Sequence, residues 1–412
     1  MKTFIGSGCV ITVFICCLTS CAGYNAKQTA KTSIVLAQKE IPEDVLLDAS
    51  IVVFKSSEIT NKKAKKEGTN PDVINAESHF IPYHLKNTFQ QSSHWGMVRF
   101  MPVKSESTEV LVEGEIIESN GENLVVRVTV SDSTGTVWFE KKYRATVNKD
   151  YYKDTTLGQK DVFQGLYNAI ANDTVMYMRN LSPEEIKNIR TISKLKFAQS
   201  FSPDAFNNYL KQDQKGKLAL NRLPADNDTM MERVLRIRER EHMFLDTLNE
   251  YYENFYNEMW PSYEEWRKMN LTERVVLSEQ KKSAFTRMAG GVMLVALAIG
   301  LEVADVDSTA LTAILVTAGG QVFVSGINIS KQAQMHYEAL RELGESFGSE
   351  MEPIAVELEG KQYELTGSAE EQYARLRELL RKIYYTEIDF VSPEDSAKEK
   401  MLKPGLRQDD NF

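Results

Sequence analysis

No cysteine follows position 21. The sequence has four cysteines, at positions 9, 16, 17 and 21. A mature chain beginning at Cys21 keeps one thiol, which excludes an intramolecular disulfide and a cysteine-based metal site. In an oxidising compartment it also excludes wrong pairing. Most catalytic signatures are missing as well: there is no Walker loop, no dinucleotide-binding glycine pattern and no HExxH. The five histidines are His79, His84, His94, His242 and His336. His79 and His84 lie five apart, a spacing that does not set two ligands on one helix face as four would. Gly344-Glu345-Ser346-Phe347-Gly348 matches G-x-S-x-G in letters. It falls at the end of an expected helix, whereas a nucleophilic serine needs a strand-to-helix turn, so it reads as a helix stop. The 58 carboxylates guarantee chance pairs, so none is singled out as an acid–base pair. No catalytic residue, metal ligand or cofactor-binding residue is therefore assigned.

Positive charge is also in deficit. The formal charge is −9, and loss of residues 1–20 removes Lys2 alone, leaving about −10. A net-acidic surface repels polyanions, which argues against nucleic acid as a partner. The basic run Lys62, Lys63, Lys65 and Lys66 reads as a solvated loop. Hydrophobic residues at 42% and charged residues at 26% give a globular balance rather than a disordered one.

What is present begins at the N-terminus. Lys2 is a minimal basic region, and Phe4 to Leu18 is an apolar stretch too short to span a bilayer comfortably. It ends in Leu18-Thr19-Ser20-Cys21, which resembles the lipobox of bacterial lipoproteins: an aliphatic residue, two small residues, then cysteine. The resemblance implies removal of residues 1–20 as a signal peptide and acylation of Cys21. Two or three acyl chains give stable attachment, at roughly 0.8 kcal/mol per buried methylene. By the same resemblance, Ala22 rather than Asp points to the outer membrane, on its periplasmic side. The expected partners are the membrane, through acyl chains on Cys21, and an envelope protein. Residues 21–47 begin polar and small, as a tether would.

The fold class expected is α+β: a small α/β domain over 48–148, then a mainly helical domain over 149–391, then a loose tail over 392–412. Ser50 to Phe54 is a short apolar strand. Asn70-Pro71 opens a helix reaching about Gln91, which Pro82 should kink or split. Trp95 to Met101 is the next strand. A meander follows over 109–118, 123–131 and 136–145. A three-residue loop Ser119-Asn120-Gly121 keeps apolar faces together, pairing Ile116 with Leu124, Val112 with Val128 and Val110 with Val130. At the next turn Val130 should meet Val137, and Val128 should meet Phe139. This element order resembles the small α/β domains of Tol-system β-propeller proteins and of lipoprotein activators of penicillin-binding proteins. SHWGMVRFMP (93–102) and GENLVVRVTVSDSTGTVWFEKKY (121–143) are similar to stretches of an uncharacterised family of Gram-negative envelope lipoproteins. That family brings no activity with it.

From Asp161 to about Gly348 the pattern is mostly helical. Ser182-Pro183-Glu184-Glu185 and Ser202-Pro203-Asp204 are helix starts. A long amphipathic helix is expected from about Asp228 to Glu258. Seven aromatics fall within 251–266, either as a stacking or membrane-interface surface or as a packed helix face. Residues 289–327 form two apolar arms around Glu302, Asp305 and Asp307, with small residues at helical spacing. This suggests a tight helical hairpin, either buried or used for self-assembly or membrane insertion. A helix is expected around Lys331 to Phe347. A β-hairpin at 353–366 turns at Glu359-Gly360-Lys361, and a last helix covers Ser368 to Tyr385. Two functional readings follow. One is a non-catalytic envelope lipoprotein that binds or scaffolds a partner. The other is an envelope-polymer hydrolase using a carboxylate pair across the aromatic segment, and the hairpin leaves oligomerisation open.

Overall fold

The structure is a computed structural model. It describes residues 32–56, 71–105, 107–148, 152, 161–214, 216–300, 335–336, 338–344 and 351–387; for 71–72, 273, 276–300 and 387 only the backbone is described. Cys21, the basic run at 62–66, Ser346, the second arm of the 289–327 hairpin and the tail lie outside these residues.

The fold is α+β. β1 (Ala49–Val52), β3 (Val98–Met101), β4 (Val110–Ser119), β5 (Asn123–Asp132) and β6 (Val137–Thr146) form one sheet in the order β3-β1-β4-β5-β6, with β2 (Lys55–Ser56) beside β4. β1 is parallel to both neighbours, pairing Ala49 with Val98 and with Val110. Parallel neighbours need a long crossover. α1 (Pro71–Ser92) supplies the one from β1 to β3. Pro82 does not split α1, which runs as one helix.

The meander forms as expected, but both registers sit two residues away from the expected ones. Val112 pairs with Val130 and Ile116 with Val126. Asn120 sets the difference. Its Oδ1 accepts the backbone N–H groups of Glu122 and Asn123, so the loop holds four residues and Ser119 pairs with Leu124. Four residues alone would place Ile116 opposite Arg127. A bulge between Ile116 and Glu118 removes one step, and the apolar faces meet again. In the next turn Asp132 Oδ1 accepts from Thr134 and Thr136, and Oδ2 from the Trp138 indole. Val130 then meets Phe139, and Ser131 meets Val137.

α2 (Gln164–Met178) and α1 cover one sheet face, with Val73, Phe80, Leu85, Leu166 and Ile170 packed on the valines of β4 and β5. α3 (Pro183–Phe201) starts with a complete capping box between Ser182 and Glu185. α4 (Pro203–Phe206) is a single turn, and the Ser202 side chain makes no capping bond there. A small hairpin, β7 (Leu210–Gln212) with β8 (Leu218–Leu220), interrupts a stretch expected to be helical.

α5 (Thr229–Gly300) is the largest departure from expectation. Asp228 Oδ1 caps it through Met230 and Met231. It continues for 72 residues, through Pro261, instead of ending near Glu258. At 1.5 Å per residue that is roughly 108 Å. An interior proline costs about 3 kcal/mol. Tyr263, Trp266, Arg267 and Leu271, all buried beyond it, offset that cost. The first apolar arm, 289–300, forms the end of this helix. β9 (Met351–Leu358) and β10 (Lys361–Gly367) turn on Glu359 and Gly360 alone, both at positive φ, and Lys361 already pairs with Leu358. α6 (Ala369–Glu387) begins at a Ser368–Glu371 capping box. Together α3, the first half of α5, β9, β10 and α6 enclose a second core that reaches the sheet through Val52, Phe100, Met101 and Leu111.

Three surface details bear on function. β6 shows Glu140, Lys141, Lys142 and Arg144 to solvent along the outer strand. At the opposite edge the Asn249 amide of α5 accepts from Phe100 N–H (2.9 Å) and donates to Phe100 C=O (2.9 Å), as a neighbouring strand would. Residues 32–37 form a docked strap: Asn168 and Asn172 of α2 hold Thr32, Ser33 and Val35, and the Ala37 N–H donates to Ser92 C=O.

Gly121 sits at φ +76° with the Arg267 carbonyl of α5 directly against its Cα. Gly121→Ala is expected to cost about 2–4 kcal/mol, from the left-handed backbone and the forced contact. The check is a lower urea midpoint at unchanged m-value.

Candidate functional site

The aromatic segment is packed inward. Tyr252, Phe255, Tyr263 and Trp266 are buried. The Phe80 ring lies 4.6 Å from Tyr263 and 4.7 Å from Tyr256, and Phe100 lies 4.3 Å from Tyr252. These rings pack against rings of α1 and β3, as a buried helix face does. His79 and His84 do not converge on a common ligand position. His84 contacts Tyr256 OH (2.6 Å) and Gln164 Oε1 (2.8 Å), while His79 Nδ1 contacts Ser78 Oγ (3.0 Å). Among the described residues no group of three His, Cys, Asp or Glu is placed to hold a metal ion.

Two ionisable clusters stand out. The first lies where α1, α5, the β4–β5 loop and the start of α2 meet. Glu77 Oε1 accepts from Ser119 Oγ (2.5 Å) and Tyr263 OH (2.6 Å). Its Oε2 has no partner among the described residues. One turn along α5, Arg267 Nη1 donates to both Asp161 oxygens, at 2.9 and 3.2 Å. The side chains of this pair are 1% and 0% exposed. Burial pushes Glu77 up to about 7, against the two hydrogen bonds that favour its charge. Burial also opposes the Arg267 charge, but the Asp161 carboxylate outweighs it and holds the guanidinium protonated. Such groups often mark active sites. Here the carboxyl is fully buried, and its charge is opposed by that burial.

The second cluster lies between the sheet and α5. Glu109 accepts from the Asp48 N–H (2.9 Å) and faces Arg190 at 3.7 Å. Arg238 donates to Ser193 Oγ (2.8 Å), and Arg99 pairs with Asp246 at 2.7 Å. Glu241 accepts from Tyr373 OH (2.5 Å) and faces Arg377 at 3.6 Å. Burial raises both Glu109 and Glu241. Burial, then Arg99 and Arg238, lower His242 to about 3, so its imidazole is neutral at ordinary pH. Carboxylates beside histidine are acid–base material. The space between these groups is about 30 Å³, room for about one water. A wider cleft of about 280 Å³ lies by the β5–β6 turn, lined by Lys104, Asp132, Thr134, Lys196 and Gln212. That is just under the usual small-ligand range of about 300–1,000 Å³.

Neither ionisable cluster was anticipated from sequence. One signal existed. Arg238 and Glu241 fall on the same stripe of α5 as Val234, Leu245 and Leu248, so charge interrupts an apolar face at core spacing.

No protein-family model matches the chain, and a search of curated proteins found no match. Among solved structures, a dodecamer of a PelC point variant from Paraburkholderia phytofirmans is 15% identical over 38% of this chain and 94% of that one. Its TM-score of 0.16 is too low to carry an argument.

Glu77 makes stability depend on pH. Between about 4.5 and 7 the folded chain holds a proton that the unfolded chain has released. Stability from this group is therefore complete below about 4.5, falls as pH rises through 7, and is level above. The span is about 3 kcal/mol. Glu77→Gln should flatten this part of the profile in urea titrations run from pH 4.5 to 8, while wild type retains the slope.

Proposed function

We propose that the protein is a lipid-anchored outer-membrane lipoprotein that binds or scaffolds an envelope partner without catalysing a reaction. The observation that carries this reading is Cys21. It follows Leu18-Thr19-Ser20 after a short apolar segment, and no other thiol follows it in the chain. Acyl chains on Cys21 would hold the protein to the membrane, with the body on the periplasmic side. The N-terminal region's resemblance to small lipoprotein α/β domains belongs to the same reading. The two ionisable clusters support the non-catalytic part, because most of their charged groups are paired within the protein. Among the described residues no helix is long and apolar enough to cross a membrane.

A second reading has one observation in its favour. α5 runs roughly 108 Å and ends in the apolar arm 289–300. A compact chain of this length has a radius of gyration of roughly 22 Å, so the helix outreaches the globule. Self-association through the 289–327 segment would cover that arm. Light scattering of a mature chain carrying Cys21→Ser should then give an oligomer mass; a monomer overturns self-association.

The anchor is tested by metabolic labelling with a fatty-acid analogue. Label is expected on wild type and lost in Cys21→Ser. Unlabelled wild type, or equal labelling of the variant, would refute it.

A further inference from the structure

We propose that the docked strap at residues 32–37, together with Met176 of α2, is a membrane-contact surface that seats on an anionic bilayer. This rests on the lipid-anchor reading for its location, and three observations support it.

The first is the apolar surface. Val35, Leu36 and Met176 are 37%, 53% and 63% exposed, and large hydrophobic residues this open are few among the described residues. Val35 and Leu36 lie on the strap, and Met176 lies on the helix that holds it. Asn168, Asn172 and Met176 lie at i, i+4 and i+8, one row along α2. The strap follows that row, with Thr32 bonded to Asn168 and Ser33 and Val35 bonded to Asn172. Leu36 continues in the direction of Met176. The asparagines hold backbone groups of the strap, which leaves the Val35 and Leu36 side chains facing out.

The second is chain length. Only residues 22–31 separate Cys21 from Thr32, where the strap is already bonded to α2. Even fully extended, such a segment reaches roughly 35 Å. An anchored Cys21 therefore keeps this face, rather than the far ends of α5 or α6, beside the bilayer.

The third is charge. Residues 22–39 contain Lys27, Lys31 and Lys39 and no carboxylate, ahead of Glu40, Glu43 and Asp44, in a chain whose net charge is −9. Lysines next to anionic headgroups attract them, and exposed apolar side chains enter the interface beside them. The docked strap makes the lipoprotein a seated body rather than one swinging on a long tether.

The test uses the mature full-length chain with Cys21→Ser, so that no lipid contributes. Gln38→Cys then supplies the single thiol for an environment-sensitive fluorophore. Vesicles of phosphatidylethanolamine with phosphatidylglycerol should give a blue shift that phosphatidylcholine vesicles do not, and salt should reverse it. Leu36→Asp and Met176→Asp should each weaken the binding roughly tenfold. Both sites are exposed, and unchanged circular dichroism and melting confirm folding; Val35→Asp replaces either variant that fails this check. No shift on anionic vesicles overturns the proposal, as does a shift indifferent to these substitutions. A shift that appears without vesicles and grows with protein concentration also overturns it, by assigning the patch to a second copy. Failure here leaves lipid labelling at Cys21 intact, whereas loss of that labelling removes the anchor and leaves vesicle binding standing.

Discussion

The ion pair between Arg267 and Asp161 sets the terms for the rest of the structure. Two charges with almost no exposure are tolerable only together; removing one partner of such a pair typically costs about 3–5 kcal/mol. The pair fixes several elements at once. Asp161 also accepts the Phe163 N–H at 2.7 Å, which starts α2. Arg267 lies over the Tyr263 ring at 4.2 Å, and Tyr263 in turn holds Glu77 of α1. The Arg267 carbonyl sits against Gly121 in the β4–β5 loop. Tyr152 OH donates to the Gly121 carbonyl at 2.7 Å, adding one more segment to the same point. Tyr263 and Arg267 both lie beyond Pro261, so these contacts depend on the helix continuing past its proline.

Much of the fold was legible because it is periodic. Alternating valines gave the meander and its buried face, and Ser182, Asp228 and Ser368 marked or adjoined helix starts that capping satisfies. Exact register was not legible. Parity depends on side-chain alternation and is strongly specified, but the two-residue offset depends on how Asn120 and Asp132 wrap their side chains around the turns. Those choices are local and polar, and apolar patterning carries no trace of them. The end of α5 was misplaced for a related reason. Proline argues locally for a break, while Trp266, Arg267 and Leu271 find partners only in tertiary structure.

The ionisable clusters were harder still. Glu77 sits in an unremarkable helical stretch, and Glu109 sits at a strand start. Their meaning comes from partners that are distant in sequence: Tyr263 is 186 residues from Glu77. Both clusters lie between α5 and the elements it crosses. They act as polar joints that select one packing arrangement of helix on sheet. Each charged side chain there has a bonded or charged neighbour.

The sheet edges carry a consequence of their own. An open strand edge is a template onto which another extended chain can add, whether a partner peptide or another misfolding copy. Here the Asn249 amide occupies the free backbone groups of Phe100 on β3, and a row of charged side chains lines β6. Intermolecular strand pairing is discouraged at both ends. A ligand of this sheet would have to read side chains on the covering helices and turns, and concentrated protein should resist conversion to cross-β aggregates.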